Sequence, residues 1–337
     1  MAGIGVVYNP RSGKNLRDPR AELRLARALG DHGVVRAVRS RDELARIAED
    51  FRRLKIDVLG ISGGDGTNHV TITGFLKVYD DEPLPPLAFL RGGTMNTVAN
   101  SVGVPRGRPD GLLASLIARY TARARVPLLS VERHTMRIGP ADRDEGHHNA
   151  FIFGTGAIYG FISEYHRTDK PDAVWAAKVL ARGVASAFVG GEMARRVAQR
   201  WQGRVVFDDG EVFPERDYLS IGAGTVDQIG LGFRPFYRYA ETPNAFHILG
   251  IHTSPLGFVR RLPEIWRARP MGDAHTYEKI TRSAVLEPKG GVARYVCDGD
   301  VHEQPGALRV EVGPRVRIVV ERVPGARPSS EAPATRH

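Results

Sequence analysis

The sequence is nearly without cysteine. Cys297 stands alone, which excludes an internal disulfide and fits a reducing compartment. No apolar run reaches the roughly 18 residues that a membrane-spanning helix needs. Met1 to Val7 lacks the apolar core of a signal peptide. Aromatics make up 8% of the residues and are not interleaved with the basic stretches, so there is no stacking platform for nucleic acid. Acids are the other shortage: 38 Asp and Glu stand against 48 Lys and Arg, a net charge of +10. That excess asks for an anionic partner, and with nucleic acid set aside a nucleotide or an anionic membrane surface qualifies. The expectation is a cytoplasmic protein that meets the inner face of a membrane peripherally. At 337 residues, 42% of them apolar, the chain is long enough for two globular domains.

What is present is glycine in one particular place. The apolar run Ile56 to Ile61 leads into Ser62-Gly63-Gly64-Asp65-Gly66-Thr67, a buried strand ending in a loop that can bring bare backbone to a ligand. The stretch that follows, Asn68 to Tyr79, can begin a helix whose N-terminus favours anions, so a phosphate cradle is expected. Glycine is expected to serve it by adopting positive φ. Asp65 is the misfit, because a carboxylate beside phosphate is repulsive unless a metal ion or a mobile proton lies between them. The loop therefore reads as catalytic.

Two further strands end in similar loops. Ile4 to Tyr8 runs into Asn9-Pro10-Arg11-Ser12-Gly13, and Leu87 to Leu90 runs into Arg91-Gly92-Gly93-Thr94-Met95-Asn96-Thr97. Helical spacing over 20–29 and 41–54 separates the strands, which predicts right-handed βαβ units, a parallel sheet, and a ligand site at the carboxyl ends of the strands. Gly13-Lys14 is not a Walker loop, since no glycine precedes it at the required spacing and Asn15 replaces Ser or Thr.

Asn9-Pro10 with Ser12-Gly13, then Gly63-Gly64-Asp65-Gly66-Thr67, then Gly93-Thr94-Met95-Asn96, and finally Asp298-Gly299-Asp300 together resemble the catalytic domain of diacylglycerol, ceramide and sphingosine kinases. The resemblance implies an α/β nucleotide domain with a parallel sheet over 1–125 and a mainly antiparallel β-sandwich lipid domain over 126–323. Its last strands are allowed to return to the first domain, and a disordered tail is expected over 324–337. It also implies transfer of the γ-phosphoryl group of ATP, with Mg2+, to a lipid primary hydroxyl. On that reading Asn9, Ser12, Gly63, Gly64, Gly66, Thr67, Gly93, Thr94 and Asn96 hold the nucleotide, Asp65 organises the metal, and Asp298 is the base supported by Asp300.

The chain departs from the family pattern at Val70, where Glu is usual, at Thr97, where many members have Asp, and at Asp300, where the motif ends in Glu. His69 matches a histidine that sphingosine and ceramide types tend to carry, so a ceramide or sphingoid acceptor is placed slightly ahead of diacylglycerol. An NAD kinase-like enzyme and a non-catalytic lipid- or nucleotide-binding regulator are the alternatives. The former would need an Asn-x-Gly-x-x-Gly-Phe segment, which is missing.

The second half alternates short apolar segments with turn residues, as an antiparallel sandwich does. Two cationic amphipathic helices interrupt it, over Val174 to Trp201 and Leu256 to Arg269, and each carries tryptophan near an end. Such helices rest on an anionic interface or cover an apolar pocket. His147-His148, in a charged loop, reads as solvated for want of a third ligand at metal spacing. Cys297 reads as a small buried hydrophobe.

Overall fold

The computed structural model describes residues 3–123, 126–168, 172–189 and 191–321, and the tail expected over 324–337 lies outside them. Strands β1 (Ile4–Tyr8), β2 (Gly33–Ala37), β3 (Val58–Ser62) and β4 (Leu87–Phe89) alternate with helices α1 (Gly13–Leu16), α2 (Ala21–Leu29), α3 (Arg41–Leu54), α4 (Asp65–Tyr79), α5 (Thr97–Ser101) and α6 (Pro109–Thr121). β1, β3 and β4 are buried at every position, as parallel strands covered on both faces must be. Alternate residues divide between the two covers. Ile4, Val6 and Val58 pack with Leu25, Leu29 and Leu113 of α2 and α6, whereas Val7, Leu59 and Ile61 pack with Ile47, Phe51, Ile72 and Phe75 of α3 and α4. Ser40 caps α3 by accepting from Glu43 N–H at 3.1 Å, the Ser-x-x-Glu signature of a helix start.

Twelve strands and four helices follow: β5 (Ser130–Pro140), β6 (His148–Ala150), β7 (Ile152–Thr155), α7 (Ala157–Tyr165), α8 (Ala173–Phe188), α9 (Glu192–Val197), β8 (Trp201–Phe207), β9 (Val212–Tyr218), β10 (Ser220–Gly224), β11 (Phe246–Ile251), α10 (Pro255–Trp266), β12 (Thr276–Thr281), β13 (Ser283–Pro288), β14 (Val292–Cys297), β15 (Asp300–Pro305) and β16 (Leu308–Val319). They make a six-stranded antiparallel sheet, β12-β11-β10-β7-β14-β15, and extend the first sheet to ten strands along β2-β1-β3-β4-β16-β13-β8-β9, with β5 on β16 and β6 on β5. β16 joins the halves, because Ile318 pairs in parallel with Leu87 of β4 while Ser283 to Leu286 pair antiparallel with its beginning. Phe153, Ile221, Ile248 and Tyr295 from one sheet meet Met136, Val205, Phe207 and Leu286 from the other. Each such buried side chain contributes about 1.5–3 kcal/mol of transfer free energy.

Two expectations fail here. The helical segment ending at Trp201 instead ends at Val197, and Trp201 begins β8 with its ring in the sandwich core. The glycines of the central loop do not use positive φ, a region occupied elsewhere by Gly156 and Gly299. They are required by crowding. A Cβ on Gly63 would lie 2.3 Å from the Thr67 side chain, and one on Gly93 would lie 2.1 Å from the Gly64 Cα. No described helix is long and apolar enough to cross a membrane.

Candidate active site

The three loops at the carboxyl ends of β1, β3 and β4 are stitched into one surface. Asn9 Nδ2 donates to Thr67 Oγ1 at 2.9 Å, and the Ser12 hydroxyl lies 2.9 Å from the same oxygen. Gly93 N–H donates to Gly63 O at 2.8 Å, and Lys14 N–H donates to Gly92 O at 2.9 Å. Gly64 caps α4 with no side chain across its end. The first N–H groups of α4, at Asp65, Gly66 and Thr67, therefore sit at the positive end of a 15-residue helix with no intrahelical partner. Free N–H groups at a helix start are the arrangement that suits an anion.

A cavity of about 720 Å³ opens from this surface. Its polar end is lined by Asn9, Ser12, Gly64, Gly66, Thr67, Gly93 and Thr94, and Arg11, Arg17, Arg39 and Arg41 add positive charge. Its apolar arm is lined by Phe161, Ile162, Val179, Leu180, Val184, Phe258 and Leu262, from α7, α8 and α10. The apolar faces of the two cationic helices thus line this arm, while Lys178, Arg182, Arg260, Arg267 and Trp266 are exposed. Gly63 and Asn96 do not line the cavity. Asn96 is buried at φ 49° and spends its amide on Gly93 O at 2.8 Å, so it shapes the third loop instead of facing a nucleotide.

The three predicted carboxylates converge on this cavity but are held differently. Asp65 is half-buried and accepts from Thr97 N–H at 2.8 Å and Val98 N–H at 3.0 Å. It therefore caps the start of α5, and the Thr97 hydroxyl bonds it as well. A second carboxylate at position 97 would repel Asp65, which gives the departure there a physical reason. Asp298 and Gly299 are the two central residues of the β14–β15 hairpin, with φ values of 47° and 93°, the positive pair that an Asp-Gly turn supplies. The Asp298 carboxylate turns back to accept from Phe151 N–H at 3.1 Å and Ile152 N–H at 2.8 Å. Its acceptor capacity goes to holding β6 and β7. Asp298 thus supports the fold at this point while also lining the cavity. Asp300 accepts no hydrogen bond from a described residue; it lines the cavity beside Gly66, where an added Cβ would meet its Oδ1 at 2.4 Å.

Burial raises the pKa of all three acids above the ordinary carboxylate range. Asp298 is raised further by the charges of Asp65 and Asp300. Hard oxygen donors that repel one another along one cavity wall are a donor set that suits a magnesium ion.

His69 does not line the cavity. It is buried, with its ring against His148 and His302, so its match to a sphingolipid-type histidine carries no contact with an acceptor. His148 is half-buried in that cluster, unlike the solvated residue expected. Arg17, Arg39 and Arg41 and the α7 residues Phe161 and Ile162 line the cavity without standing in a motif, so nothing in the sequence marked them.

A family model, the diacylglycerol kinase catalytic domain, matches residues 3–128. The protein named "Probable lipid kinase YegS" from Shigella flexneri is 29% identical over 136 residues, which are 40% of this chain and 44% of that protein. The protein of the same name from Escherichia coli O157:H7 gives the same identity and coverage. The matched stretch thus spans less than half of these relatives. Among solved structures, a diacylglycerol kinase from Bacillus anthracis str. Sterne superimposes with a TM-score of 0.62 at 15% identity, covering 94% of this chain and 96% of that one. This last likeness is one of fold.

Proposed function

We propose that the protein transfers the γ-phosphoryl group of ATP to the primary hydroxyl of a membrane lipid, a reading supported by the match of residues 3–128 to the diacylglycerol kinase catalytic domain model. The observation that carries this reading is the single cavity joining a phosphate-binding helix terminus to an apolar arm walled by α7, α8 and α10. A nucleotide alone has no use for that arm, and a lipid alone has no use for the stitched glycine loops.

In this mechanism the α4 N-terminus at Gly64, Gly66 and Thr67 binds the phosphates, and Asn9, Ser12 and Thr94 border them. Asp65, with Asp298 and Asp300 nearby, would hold Mg2+, whose chemistry is to neutralise charge on the transferring phosphoryl group. Asp300 is the base in place of Asp298. It is the carboxylate free of hydrogen bonds from described residues, it faces the cavity, and its raised pKa suits it to take the proton from the lipid hydroxyl. Val70 and Thr97 leave the cavity short of two acids that diacylglycerol kinases of this family keep. On that ground a ceramide or sphingoid hydroxyl is placed slightly ahead of diacylglycerol.

The lipid reaches the cavity from an anionic membrane surface that the protein visits peripherally. Phe188 and Val189, 61% and 81% exposed at the end of α8, and Trp266, 58% exposed at the end of α10, offer apolar insertion beside the basic residues of both helices. The test is incubation with Mg-ATP and matched-chain ceramide, sphingosine and diacylglycerol in mixed micelles, scored by mass spectrometry for a phosphate ester. A phosphorylated lipid supports the proposal; ATP binding without any lipid product would overturn it.

A further inference from the structure

Outside the cavity, three imidazoles from distant parts of the chain meet. His69 comes from α4, His148 from the start of β6, and His302 from β15. Their ring centroids are separated by 4.3 Å between His148 and His302, 5.2 Å between His69 and His148, and 5.8 Å between His69 and His302. One ligand nitrogen of each lies within 4.8 Å of the others. The neighbouring Asp300 belongs to the cavity; this cluster contains imidazole alone.

Three details separate the cluster from ordinary histidine packing. First, the His69 Nδ1 lies 3.0 Å from the Asn149 carbonyl oxygen. A carbonyl can only accept, so Nδ1 carries the proton and Nε2 presents a lone pair, the arrangement that orients a metal-bound histidine. Second, the His302 Nε2 is buried with no hydrogen-bond partner among the described residues, which is unfavourable unless something else binds it. Third, no ring nitrogen of the three bonds another.

We propose that His69, His148 and His302 bind a divalent transition metal of the zinc class, and that this ion staples α4 to β6 and β15. A set of three imidazoles without carboxylate selects zinc, cobalt, nickel or copper over magnesium or calcium, and leaves a fourth position for water. Zinc to nitrogen distances of about 2.0–2.1 Å put tetrahedral ligand atoms roughly 3.4 Å apart. The widest pair must therefore close by at most about 1.4 Å, since all three atoms lie within 4.8 Å of one another. The half-buried His148 and His302 rings can supply that by rotation, while His69 is held by its carbonyl. The staple fixes the helix that begins at the phosphate site relative to the strand that begins with Asp300. The inference stands without the kinase reading, because it uses none of the cavity residues.

The test uses the tag-free full chain, stripped with chelator and titrated with Co2+ and then Zn2+ alone. The expected result is one ion per chain, a visible Co2+ spectrum of four-coordinate nitrogen type that Zn2+ displaces, and a rise in Tm on adding Zn2+. His148→Ala and His302→Gln should each weaken binding by at least about 100-fold, since losing a ligand must exceed the 10–100-fold effect of losing its outer partner. Both positions are half-buried, and circular dichroism checks that each variant is folded. No Co2+ spectrum in the wild type, or binding that survives in both variants and so belongs to the carboxylates, would overturn the proposal.

Discussion

Replacing Gly66 with alanine probes the geometry around Asp300 without touching a charged group. Gly66 is the second residue of α4 and has an ordinary φ, so its backbone accepts alanine. The new Cβ would fall 2.4 Å from Asp300 Oδ1 and 2.9 Å from its Cγ, whereas ordinary contact begins at roughly 3.4 Å. The carboxylate must retreat by about 1 Å, a displacement that costs on the order of 10² in rate when the group takes part in the chemistry. Stability should move the other way, because glycine to alanine in a helix is worth up to about 1 kcal/mol. We expect kcat on a lipid acceptor, at saturating Mg-ATP, to fall about 100-fold while Tm holds or rises and ATP still binds. Gly93→Ala is the contrast: its Cβ meets the Gly64 Cα at 2.1 Å, backbone against backbone, so loop stacking, ATP binding and stability should fail together. A Gly66→Ala enzyme within about threefold of wild-type kcat would refute the placement of Asp300 at the reacting hydroxyl.

Asp65→Asn turns an amide donor towards the N–H groups of Thr97 and Val98, so denaturant titration should show a loss of about 1–3 kcal/mol, and kcat should fall on the order of 10². Gly183 lines the apolar arm with open space at its Cβ position. Gly183→Leu should therefore lower kcat/KM for long-chain lipids and spare a short-chain analogue. Arg261 is tied to Glu264 at 3.1 Å, so charge reversal belongs at the exposed Arg260 and Arg267. It should weaken sedimentation with anionic vesicles and flatten its salt dependence, and equal binding at low salt would return α10 to a purely cavity-lining role. In metal-free protein the rings of buried His69 and half-buried His148 and His302, near Arg41, Lys77 and Asp300, stay neutral to about pH 4, whereas unfolded histidine protonates at about 6.5. Between these values the unfolded state binds more protons. Stability is thus fully present above about pH 6.5 and falls as pH drops towards 4, and urea midpoints at pH 7 and 5 should show the decline, reduced in His148→Ala.

The parallel half was legible because its strands are apolar throughout and end in loops whose residue types have few other uses. In the second half the strands least legible in the sequence, β9, β12 and β15, are all at sheet edges. Edge strands carry polar residues and proline to avoid pairing with other chains, as Pro214 and the sequence Asp-Val-His-Glu-Gln-Pro of β15 do, so they lack the apolar signal that marks a strand. Trp201 looked like a helix end because the basic and apolar residues before it keep helical spacing past the true break at Val197. Division of labour among the acids was illegible for another reason. Asp298 and Asp300 differ only in where backbone N–H groups fall, and those of Phe151 and Ile152 come from almost 150 residues upstream. The histidine cluster likewise joins positions whose separations follow no metal-site spacing.

The central claim is that Asp300 takes the proton from a lipid hydroxyl in a cavity shared with ATP. Single-turnover transfer from labelled ATP to the preferred lipid, comparing wild type with Asp300→Asn, tests it most directly. The expected loss is about 10²–10⁴-fold, with ATP affinity and Tm unchanged. Transfer at near wild-type rate by Asp300→Asn, or a larger loss in a folded Asp298→Asn protein, would contradict it.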